Sequence, residues 1–271
     1  MRLRFLGTGT SFGVPVIGCA CAVCTSTDAR DRRSRHAALL SSGDGARNVL
    51  IDTPPELRLQ LVAAGIRTLD AIFFTHGHAD HIHGIDDVRI FSARSHRPLP
   101  AFADDATARR LRTGFSYIFD HDYQPPEGTT RPEIALHTFQ AGQPVEAGGF
   151  RLLPFEVPHG DIAAFGFRTG ALGYVTDAKT LPPAALAALA GVRVLVLNAL
   201  WHGSPHPTHF NIEEAVDMAE QIGAERTYLT HLTHRVLHAT LAGSLPTGVQ
   251  PAYDGLVVDV PDEDLNPAAG S

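Results

Sequence analysis

The sequence predicts an α/β protein built as a four-layer helix/sheet/sheet/helix sandwich of two mixed sheets. Three observations predict it. Apolar runs of strand length recur in both halves of the chain, and each is stopped by glycine, proline or a polar residue. Stretches with helical spacing alternate with these runs, the pattern of sheets covered by helices. Hydrophobic residues make up 44% of 271 residues, enough for one large core, so residues 1–271 are expected to form a single domain.

RLRFLGTG alternates and breaks at Gly7 and Gly9, a strand entering a tight turn. AALLSS supplies a second strand and NVLI a third, stopped by Asp52, Pro54 and Pro55. PELRLQLVAAG has helical spacing, with proline at its start and Gly65 at its end. LDAIFF is a short, very apolar strand that runs directly into a group of histidines. IDDVRIFSARSHR and TARRLRTGFSYIF read as helices and YQPPEGTTRP as irregular chain, so a variable lid or insertion is expected over about residues 92–133. IALHTFQ, FRLLPFEVPHG, AAFGFRTG and ALGYVTDA then follow in close succession and imply a second sheet. LPPAALAALAG is a helix opened by proline, and VRVLVLNAL is a continuous apolar strand of the kind buried on both faces. NIEEAVDMAEQIGA is an amphipathic helix with Asn211 as its cap. TYLTH and GLVVDV are the last strands, and the polar tail 261–271 is expected to fray.

A formal charge of -7 argues against a broad basic surface, so nucleic acid is an unexpected partner. The N-terminus lacks the pattern of a signal peptide, and no apolar stretch approaches the roughly 20 residues of a membrane span; a cytoplasmic location with no membrane partner is expected. The only three cysteines, Cys19, Cys21 and Cys24, fall within GCACAVC. In that compartment they fit thiolate metal ligands better than a disulfide framework, with a surface redox pair as the competing reading.

In THGHADH, His76, His78, Asp80 and His81 fall within six residues where an apolar strand stops. Imidazole and carboxylate suit zinc, manganese or iron, and such a cluster cannot enter an ordinary core without unmet polar cost. A paired metal site needs further ligands from elsewhere. His159 closes FEVPHG, Asp177 closes GYVTDA and His231 closes TYLTH, three polar residues in the same context at the ends of apolar strands. Strand ends on one side of a sandwich converge, so separate segments can build one site.

The chain resembles the metallo-beta-lactamase-fold hydrolases, whose HxHxDH signature is matched by His76, His78, Asp80 and His81, with LGTGTS, DTPPE and the later His159, Asp177 and His231 also in keeping. The resemblance implies an αβ/βα sandwich with two divalent catalytic metals, zinc or manganese or iron. His76, His78 and His159 would hold one, Asp80, His81 and His231 the other, and Asp177 would bridge. An aspartate at 177 is unlike the lactamase branch, which usually has cysteine there. Within the superfamily the chain looks most like the phosphoribosyl cyclic phosphate phosphodiesterases of phosphonate breakdown, which carry a CxCxxC cluster and a late THxxH run, here Cys19, Cys21, Cys24, His231 and His234. That likeness implies a structural zinc held by the three cysteines and His234, a homodimer, and a small cyclic phosphate or phosphodiester as substrate, attacked by a bridging hydroxide. Asp80 would belong to the catalytic centre as well as to the ligand set. His209, beside the cap Asn211 in PHPTHFN, would stabilise the phosphoryl oxygens and protonate the leaving oxygen, with His206 and His202 as alternatives in the same loop. The competing readings of the same fold are a tRNA 3'-processing nuclease, which needs a basic arm, and a non-catalytic accessory protein of quinone-cofactor biosynthesis, which predicts eroded ligands.

Overall fold

The structure is a computed structural model that describes residues 1–120 and 122–261. The first sheet takes its strands from the N-terminal half: β1 (Arg2–Gly7), β2 (Ala37–Ser41), β3 (Asn48–Ile51), β4 (Ala71–Phe73), β5 (Leu99–Ala103) and β6 (Ile134–Thr138). The second takes β7 (Val145–Ala147), β8 (Phe150–His159), β9 (Ile162–Thr169), β10 (Leu172–Tyr174), β11 (Val194–Asn198), β12 (Arg226–Thr230) and β13 (Val249–Pro251). β14 (Val257–Asp259) returns to the first sheet beside β1, giving the orders β14-β1-β2-β3-β4-β5-β6 and β13-β12-β11-β10-β9-β8-β7. Both sheets are mixed.

The apolar runs are continuous because both faces of these strands are covered. In NVLI, Val49 and Ile51 join Phe5, Phe73, Phe167 and Tyr174 in the core between the sheets, whereas Leu50 faces outward onto Leu57, Leu61 and Phe91. In VRVLVLN, Val194 and Val196 face the other sheet, and Leu195 and Leu197 face Leu189, Ile212 and Ala215 of the outer helices. Four layers result, as the sequence predicts.

Two local readings are corrected. IDDVRIFSARSHR is not one helix: a 3-10 turn at Ile85–Val88 precedes the helix Arg89–Ser95. The expected lid of residues 92–133 contains β5, a sheet strand between β4 and β6, and the helix Asp105–Gly114, whose Leu111 packs on the outer face of the first sheet. The helical run breaks at Phe115 before a single turn at Ser116–Phe119. Pro100, opposite Ala135 of β6, obscures β5 in the sequence, since proline lowers strand expectation. The polar tail expected to fray, 261–271, lies outside the described residues apart from Pro261. Among the described residues no helix is long and apolar enough to cross a membrane.

Topology brings strand ends to one edge. β3 and β4 are parallel, as are β10, β11 and β12, and β8 reverses twice through β9 to run in the direction of β10. The chain therefore leaves β3, β4, β8, β10 and β12 towards a common rim, and Asp52, His76, His159, Asp177 and His231 lie at or just beyond those ends.

Candidate metal centres

Three of these residues occupy left-handed backbone that costs a non-glycine residue roughly 1–2 kcal/mol: Asp52 (φ 62°), Asp177 (φ 56°) and His231 (φ 60°). Strain of this kind, repeated at one rim and at polar residues only, marks a functional site. Around it the structure brings together His76, His78 and His159 as one donor group, and Asp80, His81 and His231 as a second. Asp177 shares a third group with His76 and His81 and a fourth with His159 and His209.

In the first group His78 Nδ1 lies 3.0 Å from His76 Nε2 and 3.2 Å from His159 Nε2. Nitrogens at about 2.0–2.1 Å from a tetrahedral zinc would be roughly 3.3 Å apart, so the three fit edges of one coordination shell. The other ring nitrogens are held from behind: His159 Nδ1 donates to the Thr208 carbonyl at 3.2 Å, and His76 Nδ1 faces the Thr75 hydroxyl at 3.1 Å. In the second group His81 Nε2 lies 3.6 Å from Asp80 Oδ2 and 3.5 Å from Asp177 Oδ2, and His231 Nε2 lies 3.3 Å from Asp177 Oδ1. His81 Nε2 and both nitrogens of His231 are buried without a hydrogen-bond partner. Such orphaned atoms are costly unless a cation takes them.

Electrostatics points the same way. Burial holds His76 well below the ordinary histidine pKa, and burial takes His231 down to about 4, so both present neutral imidazoles. At His81 burial opposes the charge, but the carboxylates of Asp177, Asp52 and Asp80 outweigh it and pull the pKa up to about 10. Burial would raise Asp177, yet His231, His81 and the hydrogen bond from His209 keep its carboxyl well below the usual range. An ionised carboxylate beside the neutral imidazoles of His76 and His231 is a donor set for a divalent metal, and a metal bound there would displace the Nε2 proton of His81.

Asp52 reads in the sequence only as the residue that stops NVLI, with no role attached. Its carboxylate accepts from His81 Nδ1 at 2.7 Å, from the Thr75 backbone N–H at 2.8 Å and from the Thr75 hydroxyl at 2.7 Å. This fixes the proton of His81 on Nδ1 and turns Nε2 to the site, the usual work of a carboxylate behind a ligating histidine. Asp52→Asn, whose amide nitrogen cannot accept, is expected to weaken metal binding about 10- to 100-fold, measured by chelator competition. Two more buried residues escaped notice. Asn198 clamps the loop after Asp177 through both backbone groups of Ala178, at 2.8 and 3.1 Å, and His36 lies beneath the site, accepting from the Tyr174 hydroxyl at 2.6 Å. Neither stands in a motif; burial and tertiary contact alone reveal them.

The PHPTHFN loop separates its histidines. His209 Nε2 lies 3.0 Å from Asp177 Oδ1, its ring stacked 4.9 Å from that of His231. His206 stands one step back, with its Nδ1 3.3 Å from His209 Nδ1, and His202 pairs with Glu213 at 2.9 Å near the surface. Asn211 caps the helix Ile212–Ile222 in a reciprocal capping box with Glu214, which fixes the exit of this loop.

A separate group consists of Cys19, Cys21, Cys24 and His234. The three sulfurs lie 3.4, 3.5 and 3.6 Å from His234 Nδ1. Zn–S of about 2.3 Å and Zn–N of about 2.0–2.1 Å at tetrahedral angles give an S···N edge of roughly 3.6 Å, so the spacing fits zinc. The Cys24 backbone N–H, donating to Cys21 Sγ, brings that thiol down to about 6, while burial takes Cys24 up to about 11. A coordinated divalent metal deprotonates such thiols together. The same two loops are also joined by buried Arg33, which donates to the Thr233 and Val236 carbonyls at 2.6 and 2.9 Å.

Comparison with known proteins places the fold in a family. A family model described as a beta-lactamase superfamily domain matches residues 47–232. A solved structure described as a new diphosphatase from the PhnP family superposes with a TM-score of 0.87 at 39% identity, over 96% of this chain and 98% of the other. Zinc-bound PqqB from Methylobacterium extorquens shares the fold, with a TM-score of 0.75 at 18% identity over 96% of this chain and all of the other (100%). A Porphyromonas gingivalis protein named octanoyltransferase is 35% identical over 257 residues, 94% of this chain but 51% of its own length. The chain spans about half the length of that relative.

Proposed function

The chain belongs to the beta-lactamase superfamily, and on that premise we propose that it is a metal-dependent phosphodiesterase acting on a small cyclic phosphate or phosphodiester. One observation carries the reading: the donor set is complete with a carboxylate, Asp177, at its centre, and the imidazole of His209 lies against that carboxylate at 3.0 Å. Complete ligation argues against an accessory protein with an eroded site. The 39%-identical neighbour, described as a diphosphatase, supports chemistry at phosphorus.

His76, His78 and His159 would hold one divalent metal and Asp80, His81 and His231 a second, with Asp177 between them. Bound there, such ions supply Lewis-acid stabilisation of phosphoryl oxygens and a water of lowered pKa. The chain's own residues do the rest. Asp52 and the Thr208 carbonyl orient His81 and His159 from behind. As the imidazolium, His209 donates its Nδ1–H to the Thr208 hydroxyl at 2.8 Å and carries a second proton on Nε2, the nitrogen that faces the centre. From Nε2 the proton passes to the departing alkoxide, which is too basic to leave unaided.

His209→Ala is expected to retain both catalytic metals and to lose about 10²- to 10⁴-fold in turnover on a cyclic phosphate, the usual range for a general acid. An activated aryl diester, whose phenolate needs little protonation, should lose less. Near-wild-type rates on both substrates with intact metal content would contradict the role, and a severe loss confined to His206→Ala would move it three residues back.

A further inference from the structure

Beside the metal centres lies a cavity of about 350 Å³ that His209 and His231 line at one end and Phe12, Val16, Trp201 and Arg235 line elsewhere. We propose that this cavity is the leaving-group subsite and takes a planar heteroaromatic ring, so that the substrate is a nucleotide-like phosphoester instead of a bare sugar phosphate. The inference rests on the phosphodiesterase reading and narrows its substrate class.

Continuity with the site gives the occupant. A phosphorus seated by Asp177 and the histidines has His209 at its leaving oxygen, and the group beyond that oxygen enters the cavity His209 lines. The walls suit a flat π-system. Phe12, 73% exposed, contributes its ring to the lining, where a ligand can reach it. The Arg235 guanidinium lies 4.2 Å from the centroid of Trp201, a stacked platform, and Trp201 is steadied by its Nε1–H donating to the Ser204 carbonyl at 2.9 Å and by edge contact with His206 at 5.4 Å. Arg235 is exposed and, among the described residues, pairs with no carboxylate, which leaves its charge for an anionic ligand. Aromatic and guanidinium planes bind nucleobases by stacking, with little regard to which base.

The chain's single tryptophan makes the test direct, because Trp201 fluorescence reports occupancy without turnover. Metal-loaded protein would be titrated with AMP and, separately, with ribose 5-phosphate. The expected result is saturable quenching by AMP and none by ribose 5-phosphate at equal concentration, with AMP binding weakened about five- to 100-fold in Phe12→Ala and in Arg235→Gln. In parallel, kcat/KM for adenosine 2',3'-cyclic phosphate should exceed that for ribose 1,2-cyclic phosphate, and Phe12→Ala should bring the ratio towards one. Equal responses to the two ligands, or no response to AMP, would overturn the subsite even if both esters are hydrolysed. Quenching by AMP alone, in a protein that hydrolyses no phosphodiester, would uphold the subsite and sink the hydrolytic reading.

Discussion

Asp177→Ala is expected to lower turnover by more than about 10³-fold and to leave fewer than two catalytic metal ions per chain. Replacing a partner behind a ligand typically costs 10- to 100-fold, and Asp177 stands in front. Its carboxylate lies 3.0 Å from His209, 3.3 Å from His231, 3.5 Å from His81 and 3.9 Å from His159, the one acidic group among the described residues within reach of both donor sets and of the proposed acid. Removing it takes a carboxylate donor from beside both metal groups and the partner from His209, so the loss falls on binding and chemistry together. Elemental analysis and turnover on the same preparation check this; full metal content with undiminished rate would refute the central place given to Asp177. The cysteine-bound zinc should stay.

Cys21→Ser is expected to do the reverse: to release one zinc per chain and lower stability by about 3–5 kcal/mol, while the histidine centre stays partly loaded in protein that remains folded. Zinc bound by cysteine and histidine contributes folding free energy because the unfolded chain has no preformed site, with apparent values of about 10–16 kcal/mol in small zinc-finger peptides. Less is expected here. Arg33 joins the same segments through two carbonyls, and Asp31 accepts from the His238 backbone N–H at 2.6 Å, so the loops keep a connection without the sulfur. Denaturant unfolding with zinc analysis checks both parts, and unchanged zinc in the variant would rule the structural site out.

The residues that the structure gathers at the rim were largely legible because each ends an apolar strand, and a polar side chain there has nowhere to go but the edge of the sheet. THGHADH announced itself by density alone. Distance in sequence hid the partner of the cysteines: His234 stands 210 residues from Cys24, and only family resemblance named it. Asp52 carries the same strand-end signal as Asp177 and opens DTPPE, but the pattern attaches no role to it, and His36 and Asn198 are defined by what packs on them, which no local window contains. The fold was readable where burial on both faces wrote continuous apolar runs, as in NVLI and VRVLVLN. It was not readable at LPAFA, where Pro100 masks β5, nor at the short edge strands β7 and β13, whose pairing depends on neighbours and not on their own three residues.

The most direct test is a side-by-side activity profile of the purified protein, reconstituted with defined zinc or manganese, on a ribosyl cyclic phosphate, nucleoside cyclic phosphates, an aryl phosphodiester, precursor tRNA and a lactam. A small phosphodiester is expected to be turned over fastest, with precursor tRNA and the lactam far behind. Lactam or precursor tRNA hydrolysis outpacing every small phosphodiester would contradict the assignment.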